Sequence, residues 1–233
     1  MYGTGHKTPS GRAQGTRDSY ASDPGFDVVV VAGSAGAIPA LREMLAVLPA
    51  HFPAAILVVQ HLPPSATYKS VLNTVLQRSS RLRVKWAEDG ERMQGATVFL
   101  APQDLHLWVD SAGALRLTAD PKINRARPSA DRLFLSVAAY CRNKCIAVVL
   151  SGALSDGAAG AGQIALNGGR VLAQNRTSCW HFDMPHNALL QAGVDFMCPP
   201  AILGHALISL VMVPGAADWL WVGRRGYGQS QCV

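Results

Sequence analysis

Charge is scarce in this 233-residue chain: 15% of its residues are Asp, Glu, Lys or Arg, whereas 49% are hydrophobic. Globular proteins carry about 25% charged residues on average, and disordered chains combine high charge with few apolar residues. The low charge therefore excludes a chain that is disordered throughout and predicts one well-buried core. The net charge of +6 is too small and too scattered to indicate a nucleic-acid partner.

Long apolar runs and a cysteine framework are also missing. No stretch approaches the roughly 18 apolar residues of a membrane span, and the polar start MYGTGHKTPSGR lacks the apolar part of a secretory signal. The five cysteines are odd in number, and no second Cys/His pair accompanies Cys141 and Cys145 at zinc-ligand spacing. We therefore expect a cytoplasmic protein with no metal, no cofactor, no nucleic acid and no membrane insertion.

What the chain has instead is a series of apolar runs that alternate with helical patterns. The β-branched run at 28–31 shows no polar alternation, which is typical of a strand buried on both faces. The patterns predict strands at 28–31, 55–60, 146–150, 170–174 and 194–197, and helices at 38–48, 65–77, 129–142, 157–167, 186–192 and 200–212. Strands that alternate with helices imply right-handed crossovers. The predicted fold is α/β, with a single doubly wound, mostly parallel sheet flanked by helices.

The middle of the chain and its two ends differ from this pattern. Short strand candidates at 84–87, 97–100, 105–109 and 115–117 are separated by turn residues, and they predict a small antiparallel hairpin insertion. Residues 1–25 are rich in Gly, Ser, Thr and basic residues and are predicted to form a disordered tail. The folded domain is predicted over 26–213, followed by an irregular C-terminal extension at 214–233.

Polar side chains follow three of the predicted strands at the point where each strand ends. Ser34 follows the first strand, His61 the second and Asp156 the strand at 146–150. Ligands bind beyond the carboxyl ends of such strands, so we expect these side chains to converge. In that arrangement, His61 can take a proton from Ser34 while Asp156 orients the imidazole. His106, which opens a strand of the insertion, is a rival base.

Each of these residues also has a purely structural interpretation. Ser34 suits a helix cap, His61 an exposed strand end, and Asp156 the N-cap of the helix that follows it. The glycine-containing turn at 33–36 also favours a phosphate site, but it lacks the G-x-G-x-x-G pattern. The order Ser, His, Asp differs from the three familiar hydrolase orders, which argues against a standard α/β-hydrolase. The residues alone leave these alternatives open.

Basic residues gather in the segment 116–132. Arg116, Lys122, Arg125, Arg127 and Arg132 outnumber Asp120 and Asp131 there. The default interpretation is a solvated loop, and the alternative is a docking surface for an acidic partner. Trp180 and Met184 are near the same sheet edge, where they form either a cleft wall or ordinary packing.

An ordered set of short segments resembles the catalytic domain of CheB-type chemotaxis-receptor methylesterases. The segments are 31–36 (VAGSAG), 60–64 (QHLPP), 89–91 (DGE), 100–102 (LAP) with His106, 124–129 (NRARPS), 151–158 (SGALSDGA), 173–175 (AQN) and 184–185 (MP). The resemblance implies hydrolysis of glutamyl methyl esters, with deamidation of glutamines, on the acidic helical cytoplasmic region of a methyl-accepting chemotaxis receptor. It implies a catalytic triad on Ser34, His61 and Asp156.

If this function holds, residues around the triad have expected roles as well. Backbone N–H groups near Ala35 and Ala153 would stabilise the oxyanion, and His106 would lie near the site. On the substrate side, Arg125, Arg127 and Met184 would contact the receptor. The family usually has a phosphorylatable receiver domain before the esterase. Because about 25 residues precede the first strand here, we expect no phosphorylation control in cis.

The chain departs from the family pattern at several positions. Ala35, Ala37 and Ala153 stand where the family tends to have Thr, Gly and Met, and Arg176 and His186 replace an acidic residue and an arginine. Backbone N–H donors survive these changes, so acyl chemistry remains compatible with them. The changes motivate a rival hypothesis, a non-catalytic binding or scaffold module with the same fold. A nucleotide-binding protein is disfavoured by the missing glycines.

Overall fold

The computed structural model describes residues 25–62 and 70–216, together with Met1. The predicted tail at 1–25 lies almost wholly outside these residues. The same is true of the start of the helix predicted at 65–77 and of most of the extension predicted at 214–233.

The described residues form strands and helices that alternate along most of the chain. The strands are β1 (Val28–Gly33), β2 (Ala55–Gln60), β3 (Arg83–Trp86), β4 (Thr97–Leu100), β5 (His106–Val109), β6 (Leu115–Thr118), β7 (Cys145–Val149), β8 (Arg170–Gln174) and β9 (Phe196–Cys198). The helices are α1 (Ala37–Ala46), α2 (Leu72–Gln77), α3 (Ala130–Cys141), α4 (Ala158–Leu166), α5 (Asp183–Ala192) and α6 (Pro200–Met212), with a short 3₁₀ turn at Arg176–Ser178. None of these helices combines the length and the apolar character needed to cross a membrane.

Seven strands form one parallel sheet in the order β3-β4-β2-β1-β7-β8-β9. β1 is central and buried along its whole length, with Val31 paired to Val58 of β2 on one side and to Val148 of β7 on the other. The chain builds the sheet outward in both directions from β1. The carboxyl ends of β1, β2 and β7 therefore meet at the topological switch point, where such sheets bind ligands. The predicted α/β fold with a mostly parallel sheet is confirmed.

The expected antiparallel insertion is present, but it is smaller than the sequence suggested. β5 and β6 pair antiparallel, whereas β3 and β4 pair in parallel with each other, and β4 also pairs in parallel with β2. The assignment of β3 and β4 to the insertion was therefore wrong. Both strands have only four residues, and the connection at 87–96 contains no helix, so the sequence offers no periodic signal that a parallel crossover has occurred.

Apolar side chains cover both faces of the sheet. On one face α1 packs against α6, and on the other α3 packs against α4. The second contact depends on a glycine: a Cβ at Gly160 would collide with Phe134 Cβ and lie 3.3 Å from the carbonyl oxygen of Asp131. This close approach brings the N-terminal ends of α3 and α4 together beside the carboxyl edge of the sheet.

Candidate active site

Ser34 lies in the turn that joins β1 to α1. Its backbone N–H donates to the carbonyl oxygen of Ser151 at 2.9 Å, which ties the turn to the loop after β7. Gly36 is the N-cap of α1 at φ +78°, and a Cβ there would lie 2.6 Å from Trp180 Cβ. Glycine is therefore required at this position. No side chain caps α1, so the cap interpretation of Ser34 is wrong.

Gly152 brings the loop after β7 against Ser34. A Cβ at Gly152 would lie 2.8 Å from Ser34 Cβ and would also collide with Met184 Sδ. The backbone N–H of Gly152 donates to the carbonyl oxygen of His181, and the N–H of Met184 donates to the carbonyl oxygen of Gly152, each at 2.9 Å. The Met184 side chain is buried behind this loop and does not line the cleft.

His61 follows β2 and contacts Asp156. Its Nε2 lies 2.8 Å from Asp156 Oδ2, and its backbone N–H donates to the carbonyl oxygen of Gly33 at 2.9 Å. The His61 side chain is 21% exposed, whereas that of Asp156 is 4% exposed. An ionised Asp156 accepts the proton on Nε2, so Nδ1 carries the lone pair. Nδ1 is then the atom that can take a proton from a serine hydroxyl.

The N-terminus of α3 holds Asp156 in place. Its Oδ1 accepts hydrogen bonds from Ser129 Oγ at 2.8 Å and from the Asp131 N–H at 3.1 Å, and its Oδ2 accepts from the Ala130 N–H at 2.7 Å. α4, the helix that follows Asp156, begins after Gly157 without a side-chain cap. Asp156 is therefore not the N-cap of its own helix, and it satisfies the first donors of another one.

These contacts keep Asp156 ionised. Burial by itself would raise the pKa of this carboxyl, but hydrogen bonds from His61, from the backbone of Ala130 and Asp131 and from Ser129 together bring the pKa below its ordinary value. The positive end of the α3 dipole acts in the same direction. A charged carboxylate at this position stabilises the imidazolium that forms when His61 takes a proton.

Asp131 makes the reciprocal contact from α3 to α4. Its Oδ1 accepts the Gly160 N–H at 2.8 Å, and its Oδ2 accepts Asn124 Nδ2 at 2.9 Å. Burial raises the pKa of Asp131; the Gly160 N–H opposes this shift, and the neighbouring Asp156 adds to it. Backbone N–H groups at the start of each helix thus donate to a carboxyl group at the start of the other helix. No sequence signal marks this role, because Asp131 stands out in the sequence only as a charge within the basic segment.

His106 lies behind the cleft and is fully buried. Its Nδ1 accepts the Ser129 N–H at 3.2 Å, and its Nε2 donates to the carbonyl oxygen of Pro121 at 3.1 Å. Both ring nitrogens are occupied, so His106 is not available as the rival base. It instead positions Ser129, which in turn contacts Asp156.

A cleft of about 470 Å³ opens over the three residues. It is lined by Ser34, His61, Leu62, Lys122, Asn124, Arg125, Ala126, Arg127, Ala153, Leu154, Ser155 and Asp156. Lys122 and Arg125 are exposed and form no ion pair within the residues that the structure describes. Arg127, by contrast, pairs with Asp104 at 2.8 Å and donates to two backbone carbonyls, so its guanidinium braces the loop.

The backbone N–H groups of the turn after β1 and of the loop after β7 are candidates for stabilising an oxyanion. Those of Ser34 and Gly152 are already donated to carbonyl oxygens. Those of Ala35 and Ala153, both exposed residues, have no hydrogen-bond partner within residues 25–62 and 70–216.

The side chain of Gln60 supports the turn that presents Ser34. Gln60 Nε2 donates to the carbonyl oxygens of Ser34 and His61 at 2.9 and 3.0 Å. Its position at the end of β2 was the only sequence signal for this role.

The fold and the site together define a class, a doubly wound α/β protein that carries a serine, a histidine and an aspartate at its switch point. The model of one family, CheB methylesterase, matches residues 29–207. The chain belongs to the CheB methylesterase family. The family suggested by the sequence motifs is thereby confirmed.

Known relatives agree with this assignment. The crystal structure of the Thermotoga maritima CheB methylesterase catalytic domain matches with a TM-score of 0.76 and 35% identity, covering 80% of this chain and 99% of that one. The protein-glutamate methylesterase/protein-glutamine glutaminase 2 of Methanosarcina mazei is 36% identical over 192 residues, 79% of this chain and 52% of its own. The protein-glutamate methylesterase/protein-glutamine glutaminase of Pectobacterium atrosepticum is 40% identical over 171 residues, 72% of this chain and 48% of its own. The chain spans about half the length of these two curated relatives.

Proposed function

We propose that this chain hydrolyses glutamyl methyl esters on a chemotaxis receptor, using Ser34, His61 and Asp156 as a catalytic triad. The observation that carries the proposal is the 2.8 Å contact between His61 Nε2 and the buried, ionised Asp156, beside the turn that presents Ser34. The names of the relatives, protein-glutamate methylesterase/protein-glutamine glutaminase, supply the substrate class. Deamidation of receptor glutamines would use the same residues.

The first half of the reaction forms an acyl-enzyme. Ser34 Oγ attacks the γ-carbonyl carbon of the glutamyl ester while His61 Nδ1 takes the hydroxyl proton. The carbonyl oxygen becomes an oxyanion, which the N–H groups of Ala35 and Ala153 stabilise; loss of one such donor typically costs about 3–4 kcal/mol. The imidazolium then gives its proton to the methoxy oxygen, the C–O bond breaks and methanol leaves.

The second half restores the enzyme. A water molecule gives a proton to His61 and attacks the acyl carbon. As the second oxyanion collapses, the bond from the acyl carbon to Ser34 Oγ breaks, and the glutamic acid product loses its remaining proton to solvent to give the carboxylate. The proton on His61 returns to Ser34 Oγ. A glutamine side chain would follow the same route with ammonia as the leaving group. Asp156 stays ionised throughout and stabilises the positive charge on His61 in both halves.

The test is methanol release from a methylated cytoplasmic receptor fragment, with the full chain and its Ser34→Ala variant compared in parallel. Release by the wild type that disappears in the variant is the expected result. If a folded wild-type chain releases no methanol from several receptor fragments, the proposal is wrong, and the non-catalytic binding module with the same fold becomes the better account. Equal release by both chains would exclude Ser34 as the nucleophile.

The basic side of the cleft predicts electrostatic recognition of an acidic receptor helix. We expect Arg125→Glu to raise KM for the receptor fragment by about 10-fold at low salt, since it replaces an attraction by a repulsion. The KM increase should shrink at high ionic strength, because salt screens exposed charges. Arg81→Glu, an exposed arginine that does not line the cleft, is the control. An equal KM increase in both variants would refute a local role for Arg125.

A further inference from the structure

Two exposed apolar side chains lie near the turn that presents Ser34: Trp180 contacts Gly36 of that turn, and Leu154 lines the cleft. We propose that Trp180 and Leu154, here called the apolar rim, bind the apolar stripe of the substrate helix and so select a helical receptor segment over other esters. This inference rests on the proposed function and adds the surface by which the site recognises its partner.

Trp180 is held firmly by its backbone while its ring faces solvent. The residue is 76% exposed, although its Cβ lies directly over Gly36 in the nucleophile turn. The adjacent His181 N–H donates to Ser151 Oγ at 3.0 Å, and Ser151 Oγ in turn donates to the carbonyl oxygen of Ala35 at 2.8 Å. The backbone of Trp180 is therefore held next to the turn that presents Ser34, while most of the side chain remains exposed.

Leu154 is exposed in an unfavourable backbone conformation. The residue is 62% exposed, lines the cleft and has φ +70°, a left-handed value that a leucine seldom adopts. Asn187 Nδ2 donates to its carbonyl oxygen at 2.9 Å and helps to hold this conformation. Strained positions that persist in folded proteins cluster at active sites and ligand clamps. Since the side chain buries little area in the chain itself, its benefit lies in contact with a ligand.

The exposed cations of the cleft and the apolar rim together describe one partner. The exposed cations Lys122 and Arg125 suit carboxylates, whereas the apolar rim suits aliphatic side chains. An α-helix that carries an acidic stripe and an adjacent apolar stripe presents both to a surface at once. Exposed Trp residues frequently dominate the free energy of such interfaces. The partner is therefore an amphipathic acidic helix, with the glutamyl ester between its two stripes.

The experiment compares kcat/KM for two substrates: a methylated receptor cytoplasmic fragment and the γ-methyl ester of N-acetylglutamate, which has no helix. We expect Trp180→Ala to lower the receptor-to-small-ester ratio by about 10-fold and Trp180→Phe to lower it less. Leu154→Gly should lower the ratio by about 5-fold without lowering Tm, because glycine accommodates φ +70°. The control is Leu166→Ala, an exposed leucine at the C-terminal end of α4; this substitution should change neither the receptor-to-small-ester ratio nor Tm.

The outcomes separate this inference from the proposed function. An unchanged ratio in both Trp180→Ala and Leu154→Gly would overturn the apolar rim while leaving the esterase activity in place. Equal losses on both substrates would also overturn it, because they would mean that the rim shapes the catalytic centre. A rise in small-ester hydrolysis in Trp180→Ala would also overturn it, because it would mean that the segment of this chain around Trp180 covers the catalytic centre instead of binding a receptor helix. If the wild type hydrolyses neither substrate, the proposed function fails and the rim fails with it.

Discussion

Ser34→Ala is expected to lower kcat for methanol release by about 10⁶-fold, the size of loss seen when a triad nucleophile is removed. The fold should not change, because alanine keeps the Cβ that packs against Gly152, and the turn is held by backbone hydrogen bonds. The measurements are the initial rate of methanol release and the thermal unfolding curve of each chain. A residual rate above about 1% with an unchanged unfolding curve would contradict nucleophilic catalysis by Ser34.

A double variant sharpens this result. The effects of substitutions in one catalytic unit are not additive, so kcat/KM of the Ser34→Ala, His61→Ala double variant should be no lower than that of Ser34→Ala alone. If His61 only bound the receptor, independently of Ser34, the losses in kcat/KM of the two single variants would multiply. The comparison therefore distinguishes a general base from a binding residue, which the single His61→Ala variant does not.

Asp156→Asn is expected to lower kcat by about 10⁴-fold. Either orientation of the new amide is unfavourable. If its NH₂ replaces Oδ2, it faces the Ala130 N–H and donates to His61 Nε2, so the proton of the neutral ring moves to Nδ1, which can then no longer accept one. If its NH₂ replaces Oδ1, it faces the Asp131 N–H. The pH–rate profile and single-turnover rates measure the effect.

The same variant should also lose stability, which a purely catalytic aspartate would not. A buried donor left without an acceptor costs about 1–3 kcal/mol. Because the pKa of Asp156 is lowered in the folded state, its stabilisation is present above the ordinary aspartate pKa and is lost as the pH falls through the lowered value. The difference in unfolding free energy between wild type and Asp156→Asn should therefore shrink in acid. A difference that is constant with pH would contradict an ionised carboxylate.

Asp131→Asn provides the matched control. It replaces the second buried carboxyl of the same helix pair by an amide, and Asn124 can rotate its own amide to face the new one. Asp131 does not contact His61, so its kcat should fall far less than that of Asp156→Asn. Equal losses in the two variants would mean that α3–α4 packing, rather than the charge beside His61, limits catalysis.

The sequence predicted the centre of the sheet and the position of the three candidate site residues at its carboxyl edge for one physical reason. β1, β2 and β7 are buried on both faces, so each appears as an apolar run whose first polar residues mark the carboxyl edge. Ser34 and His61 follow directly from that rule. Parallel pairing then brings together residues that are distant in the chain, and no knowledge of side-chain geometry is needed.

The support around the site could not be predicted in this way. Asp156 binds the start of α3, which lies 25 to 27 residues earlier in the chain, and a local reading assigns it to its own helix instead. The role of His106 depends on two backbone groups that carry no sequence signature. Arg125 and Arg127 look equivalent in sequence, yet an ion pair with Asp104 occupies only one of them. Such distinctions arise from tertiary contacts alone.

The contacts of Asp156 with the start of α3 and of Asp131 with the start of α4 have a consequence for how the sequences of relatives are interpreted. Under the proposed function, Asp156 serves two separate purposes, folding and proton transfer, so selection for folding alone would preserve an aspartate there in a copy that had lost its chemistry. Its presence in a homologue is therefore poor evidence of activity. Within residues 25–62 and 70–216, the side chains of Ser34 and His61 accept no hydrogen bond from a helix N–H group, so under the proposed function both residues can change once catalysis is lost. A survey that seeks inactive members should look for changes at these two positions.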